Sequence, residues 1–216
     1  MVSPALPASV LDLAPVVPVV VIEDAADAVP LARALVAGGL PAIEVTLRTP
    51  AALEAIREIA REVPGAVVGA GTVIRPGQVA EAVAAGSRFL VSPGWTDLLL
   101  EAMQASGVPF LPGVSTASEV VALLERGVRE MKFFPAQAGP IPPVGQKRAW
   151  GSGPDSDFRY AVPPAACAPD YLALPNVGCV GGSWMLPQDA VAARDWGRIE
   201  ELARSAAGLS AGGTCR

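Results

Sequence analysis

The chain has 216 residues, a net charge of −5 and 51% hydrophobic residues, with a pI near 4.8. That length suits one domain, 1–216, with a large core, and the composition is too apolar for disorder. The acidic balance argues against a nucleic-acid partner. Mean hydropathy is +0.42, yet no apolar run reaches the ~18 residues needed to cross a bilayer, so no membrane partner is expected. Residues 1–13 lack a basic start and an unbroken apolar stretch, which speaks against a signal peptide. Cys167, Cys179 and Cys215 are odd in number and unpatterned, so a cytoplasmic chain without disulfides is expected. There is no histidine. Acid–base work must therefore fall to carboxylates, lysine, tyrosine or water, and most zinc sites are excluded.

In chain order, an opening helix is expected over 5–13, then a first strand over 16–22. One unit then recurs: a polar start, an Ala/Leu helix, a glycine stop and a short β-rich run. Helices are expected over 26–37, 50–62, 76–85, 96–106 and 118–126, feeding strands at 42–47, 66–69, 89–91, 109–111 and 130–134. Glycine follows most of these helices, as a C-terminal stop requires, and Pro50 and Pro76 suit first helical turns. Such alternation specifies right-handed βαβ units and a parallel sheet. With a strand at 177–182 the count is seven; one more would close a (β/α)8 barrel. An open doubly wound sheet is the alternative, but its G-x-G-x-x-G loop is missing. The stretch 139–169, rich in Pro, Gly and Ser, shows no periodicity and is expected to be irregular. A final helix is expected over 189–207.

Of the sixteen basic residues only Lys132 and Lys147 are lysines, leaving fourteen arginines. Lys132 nevertheless sits in an apolar, β-prone run, Met131-Lys132-Phe133-Phe134-Pro135. Burial disfavours a charged amine, and a neutral amine attacks carbonyl carbon, so this placement points to Schiff-base chemistry. The alternative is a lysine whose stem is buried while its head reaches water. Barrel chemistry gathers at the C-terminal strand ends. There Glu44 interrupts an otherwise apolar strand and faces the same side as Thr46. A carboxylate and an amine facing one lumen suit proton transfer around an iminium; the alternative is a structural ion pair. Arg48 either grips a substrate carboxylate or forms a rim salt bridge. Gly181-Gly182-Ser183 offers N–H groups and a hydroxyl suited to phosphate.

Together, Val17-Pro18-Val19, Glu44-Val45-Thr46-Leu47-Arg48-Thr49, Val68-Gly69-Ala70-Gly71-Thr72-Val73, Val91-Ser92-Pro93-Gly94, Pro112-Gly113-Val114-Ser115-Thr116, Lys132-Phe133-Phe134-Pro135-Ala136 and Val180-Gly181-Gly182-Ser183-Trp184 resemble the 2-keto-3-deoxy-6-phosphogluconate (KDPG) aldolases, also called 4-hydroxy-2-oxoglutarate (KHG) aldolases. The resemblance runs over about 10–138 and 170–205. It implies a class I aldolase of Entner-Doudoroff carbohydrate metabolism on a (β/α)8 barrel, a homotrimer acting on a 2-keto acid, with no metal and no cofactor. It further implies that Lys132 is the Schiff-base lysine and Glu44 the general acid/base. Arg48 and Thr72 would then bind the pyruvate carboxylate, Pro93 and Phe134 line the pocket, and Gly182 and Ser183 take the phosphate.

The resemblance fails over 139–169. There the family carries a helix and a strand ending in Pro-Thr-Gly-Gly, and a gapless count from Lys132 to Asp170 puts Arg159-Tyr160-Ala161-Val162 at those four positions. Right length with wrong residues marks two compensating single-base slips, which translating the other two reading frames would test; the alternative is a divergent loop that alters specificity. If the chain carries these residues, half the phosphate cradle is absent, because tyrosine cannot give the close backbone approach of glycine. Poor turnover of phosphorylated substrate is expected. A scaffold that has lost activity is the alternative function. A phosphate-binding epimerase or isomerase is disfavoured, since those commonly use carboxylate or histidine bases.

Overall fold

The structure is a computed structural model that describes residues 9–136 and 157–209. Nine strands run parallel: β1 (Val16–Val20), β2 (Ala42–Thr46), β3 (Val67–Gly71), β4 (Leu90–Val91), β5 (Phe110–Leu111), β6 (Gly113–Val114), β7 (Glu130–Phe133), β8 (Asp157–Ala161) and β9 (Cys179–Gly182). Their order is β5-β4-β3-β2-β1-β9-β8-β7-β6. The two ends of this sheet, β5 and β6, are halves of one strand interrupted by Pro112. The first half pairs with β4 and the second with β7. Proline has no N–H to give a ladder, but its carbonyl accepts from the Lys132 amide at 2.9 Å. The ring is closed, and counted by position it is the expected (β/α)8 barrel.

The strand needed to reach eight is β8. It lies inside the stretch expected to be irregular, so that expectation is corrected for 157–169, which form a strand, a short 3-10 turn and the start of α6 (Ala168–Leu172). Residues 139–156 of that expectation fall outside the described residues. Five expected helices appear as α1 (Ala28–Ala37), α2 (Ala52–Glu62), α3 (Pro76–Ala84), α4 (Asp97–Ala105) and α5 (Ala117–Glu125). Gly39 and Gly86, with φ of 91° and 101°, take the left-handed conformation that ends such helices. The expected last helix is two, α7 (Gln188–Ala192) and α8 (Trp196–Ala207). The break falls at Arg194, whose φ of 53° is left-handed and whose guanidinium pairs with Asp27 at 2.7 Å. Asp195 then caps α8, accepting from the Arg198 amide at 3.1 Å.

Strands β2, β3, β4 and β9 are buried on both faces, and the alternation along the strands sorts the core into two layers. Ile43, Val45, Val68, Ala70 and Val180 face outwards into the layer shared with the helices. Val17, Ala42, Val67, Phe89, Val91, Leu111, Tyr160 and Cys179 fill the lumen. Val10 and Leu11, 1% and 2% exposed, join that inner layer from a 3-10 turn before β1 and close its floor at the N-terminal strand ends. This turn is the described part of the expected opening helix. With the floor filled by apolar side chains, the opposite end of the lumen is left to the polar ones.

The expectation of a chain without disulfides is also corrected. Cys167 is disulfide-bonded, while Cys179 is fully buried in the lumen.

Candidate active site

Glu44 is the middle residue of β2 and follows Ala42 into the lumen. Lys132 is the third residue of β7, in register with Gly113 on one side and Tyr160 on the other. Around the ring β2 and β7 are four strands apart in either direction, so the two side chains reach towards each other across the full bore. They meet: Lys132 Nζ lies 3.4 Å from Glu44 Oε1, with side-chain exposures of 8% and 1%. A surface pair would be worth little. At this depth removal of one partner strands a charge away from water.

A third side chain joins them. The Tyr160 hydroxyl donates to Glu44 Oε2 at 2.7 Å, and the Tyr160 ring lies 5.5 Å from Lys132 Nζ. Burial above all, and then the Glu44 carboxylate beside it, push this phenol well above its ordinary 10.0. It therefore stays protonated and acts as a donor. Two glycines make room for the trio. A Cβ on Gly71 would fall 2.2 Å from Glu44 Oε1, and one on Gly181 would fall 2.2 Å from the Tyr160 oxygen. The carboxylate thus lies flat against the β3 backbone, and the phenol against that of β9.

The remaining expected residues follow the C-terminal strand ends. The Phe134 ring, half-buried just past β7, is 5.1 Å from Lys132 Nζ. Thr72, directly after β3, is half-buried and held at φ 58°. A β-branched residue resists that conformation, so the surroundings must impose it. Arg48 and Pro93, each two residues beyond its strand, and Ser183, one beyond β9, are exposed on this rim. Gly182 is buried, with the Trp184 ring lying against it. Direct contacts join Lys132 with Glu44 and Phe134; the other five share their end of the barrel by position.

Tyr160 is the member of this cluster that sequence reasoning missed. The gapless count puts it at a strand end, but only as a defect in a phosphate cradle. Nothing in the sequence links it to Glu44, 116 positions away.

Over residues 8–202 the chain matches the family "Aldolase: KDPG and KHG aldolase". It is 49% identical over 202 residues to the KHG/KDPG aldolase of Escherichia coli (strain K12), covering 92% of this chain and 93% of that one. It is 47% identical over 206 residues to the 2-dehydro-3-deoxy-phosphogluconate aldolase of Zymomonas mobilis (strain ZM4), covering 92% and 93%. Among solved structures, a KDPG aldolase from Legionella pneumophila with pyruvate captured as a covalent carbinolamine superposes with a TM-score of 0.86 at 44% identity, covering 94% of this chain and 99% of that one.

Proposed function

The chain belongs to the KDPG and KHG aldolase family, and from that premise we propose that it is a class I aldolase working through a Schiff base on Lys132. The substrates are KDPG, cleaved to pyruvate and glyceraldehyde 3-phosphate, and KHG, cleaved to pyruvate and glyoxylate. The observation that carries the reading is the buried Lys132 amine facing the Glu44 carboxylate at 3.4 Å. It is supported by the Legionella relative, whose pyruvate was captured as a carbinolamine.

The chemistry follows from those two groups. The Lys132 amine adds to the C2 ketone, and Glu44 moves the protons that free the amine and turn the carbinolamine into an iminium with loss of water. The iminium accepts the electron pair of the C3–C4 bond as Glu44, directly or through water, takes the C4 hydroxyl proton; the aldehyde departs. The enamine of pyruvate is reprotonated at C3, and water releases pyruvate and the amine. Arg48 and Thr72 would hold the pyruvate carboxylate, Pro93 and Phe134 the chain, and Gly182 and Ser183 a phosphate. A homotrimer in the cytoplasm is part of the same reading. No described helix is long and apolar enough to cross a membrane.

One observation favours a second reading. The Tyr160 side chain occupies the lumen and Val162 packs towards it, where the resemblance calls for Thr-Gly-Gly. A catalytically impaired barrel, retained as a scaffold, would tolerate that. Incubation with pyruvate and borohydride, read by intact mass, separates the two. One reduced pyruvyl adduct on the parent and none on Lys132→Met supports the aldolase; no adduct on the parent refutes it and leaves the scaffold.

A further inference from the structure

We propose that Tyr160 is the positioning residue of the acid/base, holding Glu44 Oε2 so that Oε1 alone is presented to Lys132 and the reacting carbon. The proposal rests on the aldolase reading above and adds to it a residue from the segment where the resemblance fails.

Three of the described residues constrain the carboxylate, each differently. The Tyr160 hydroxyl is 2.7 Å from Oε2. Lys132 Nζ is 3.4 Å from Oε1. The Gly71 backbone lies so close that an added Cβ would stand 2.2 Å from Oε1 and 2.5 Å from Cγ. A carboxylate on a glutamate arm turns about its last bond with little hindrance. Here the backbone of β3 forbids it one side and the phenol fixes one oxygen. The phenol is itself fixed, with no exposure and its oxygen against Gly181. Because burial and the adjacent carboxylate keep it protonated, it offers Glu44 a donor at every working pH. Each proton transfer must therefore use the other oxygen, which faces the amine. Holding a reacting group by a locked neighbour is what separates a working site from one merely containing the right residues.

The test uses exchange of the pyruvate methyl protons for deuterium, followed by proton NMR, because it reports enamine formation without any aldehyde or phosphate. Tyr160→Phe keeps the ring and removes the hydroxyl. Loss of a hydrogen bond to a charged group predicts that it slows kcat for exchange about ten-fold, with KM for pyruvate within about two-fold. A structural role alone would lower the unfolding midpoint without that split. Glu44→Gln and the double variant complete a cycle. In the Glu44→Gln background the Tyr160→Phe change should slow exchange no further. A Tyr160→Phe enzyme within two-fold of the parent, or a loss repeated in full on top of Glu44→Gln, overturns the proposal. Should Tyr160→Phe fail to fold, the tyrosine absorbance of Glu44→Gln decides: the buried phenol must titrate lower once the adjacent charge is gone, and an unmoved titration overturns the contact. A parent that neither traps pyruvate nor exchanges its methyl protons overturns the aldolase reading and this proposal together. Normal parent exchange with an unaffected Tyr160→Phe overturns this proposal alone.

Discussion

Gly71→Ala adds one methyl group to the wall behind Glu44 and forces the carboxylate to move. The new Cβ would stand 2.2 Å from Glu44 Oε1, whereas ordinary contact begins near 3.4 Å, so the oxygen must retreat by about 1.2 Å. The φ of Gly71 lies outside the left-handed region, so the backbone itself accepts alanine. The retreat is not free, because the far oxygen is bonded to Tyr160 at 2.7 Å. Either that bond breaks or the carboxylate leaves Lys132, already 3.4 Å away. A misplacement of about 1 Å lowers turnover by roughly a hundred-fold, and overpacking a filled lumen destabilises by about 1–3 kcal/mol. The assay is steady-state release of pyruvate from KHG, with denaturant unfolding on the same samples. We expect kcat to fall about a hundred-fold with KM changed much less. Gly77→Ala on α3, where a Cβ meets nothing within 4 Å, is the control and should stabilise by about 0.5–1 kcal/mol. A Gly71→Ala enzyme with kcat within three-fold of the parent would refute the idea that Glu44 is held by this wall.

Thr72→Gly should relieve about 1–3 kcal/mol of strain at φ 58° and lose about 0.5–1 kcal/mol to chain entropy. The variant should be about 1 kcal/mol more stable while KM for pyruvate rises; a less stable variant contradicts the strain. Glu119 accepts from the Ser115 and Thr116 amides, each at 2.7 Å, and the first of these is the main reason its carboxyl lies below the ordinary 4.5. Because the folded value is the lower one, this contribution is present above about pH 4.5 and fades as pH falls through the folded value. Glu119→Ala should therefore destabilise by about 1 kcal/mol at neutral pH, with the gap closing in acid; a constant gap in urea melts across pH refutes the capping role. Both tyrosines of the chain are raised above 10.0, chiefly by burial. The stability they contribute is fully present below about pH 10 and lost as pH rises through the folded values. Less than half of the phenolate absorbance of the native protein should be present at pH 10, the rest appearing above it; a free titration centred on 10.0 would contradict their burial.

Where the sequence repeats its unit, it is a faithful guide. Apolar runs bounded by Pro and Gly place the five helix–strand pairs between α1 and β7 to within a few residues, because each is specified by contacts close in sequence. Glu44 and Lys132 are legible because a charge in an apolar strand is expensive unless something distant answers it. Arg194 is not legible: its left-handed φ is imposed by the turn it makes and by Asp27, and no local preference of arginine signals it. β8 is hidden for a related reason. Asp157–Ala161 is preceded by Gly153-Pro154 and followed by Pro163-Pro164, and it becomes a strand because β7 and β9 each present an edge that must be paired. Tyr160 inherits that invisibility, since its role depends on a register set by neighbours and not by its own segment.

The separation of Glu44 and Lys132 by half the circumference makes their distance a gauge of roundness. At the level of the backbone, their approach is set by the shape of the whole hoop and not by any single loop. A lesion at the β8 seam that leaves Tyr160 in place should thus slow the chemistry through a change of shape well before the molecule melts.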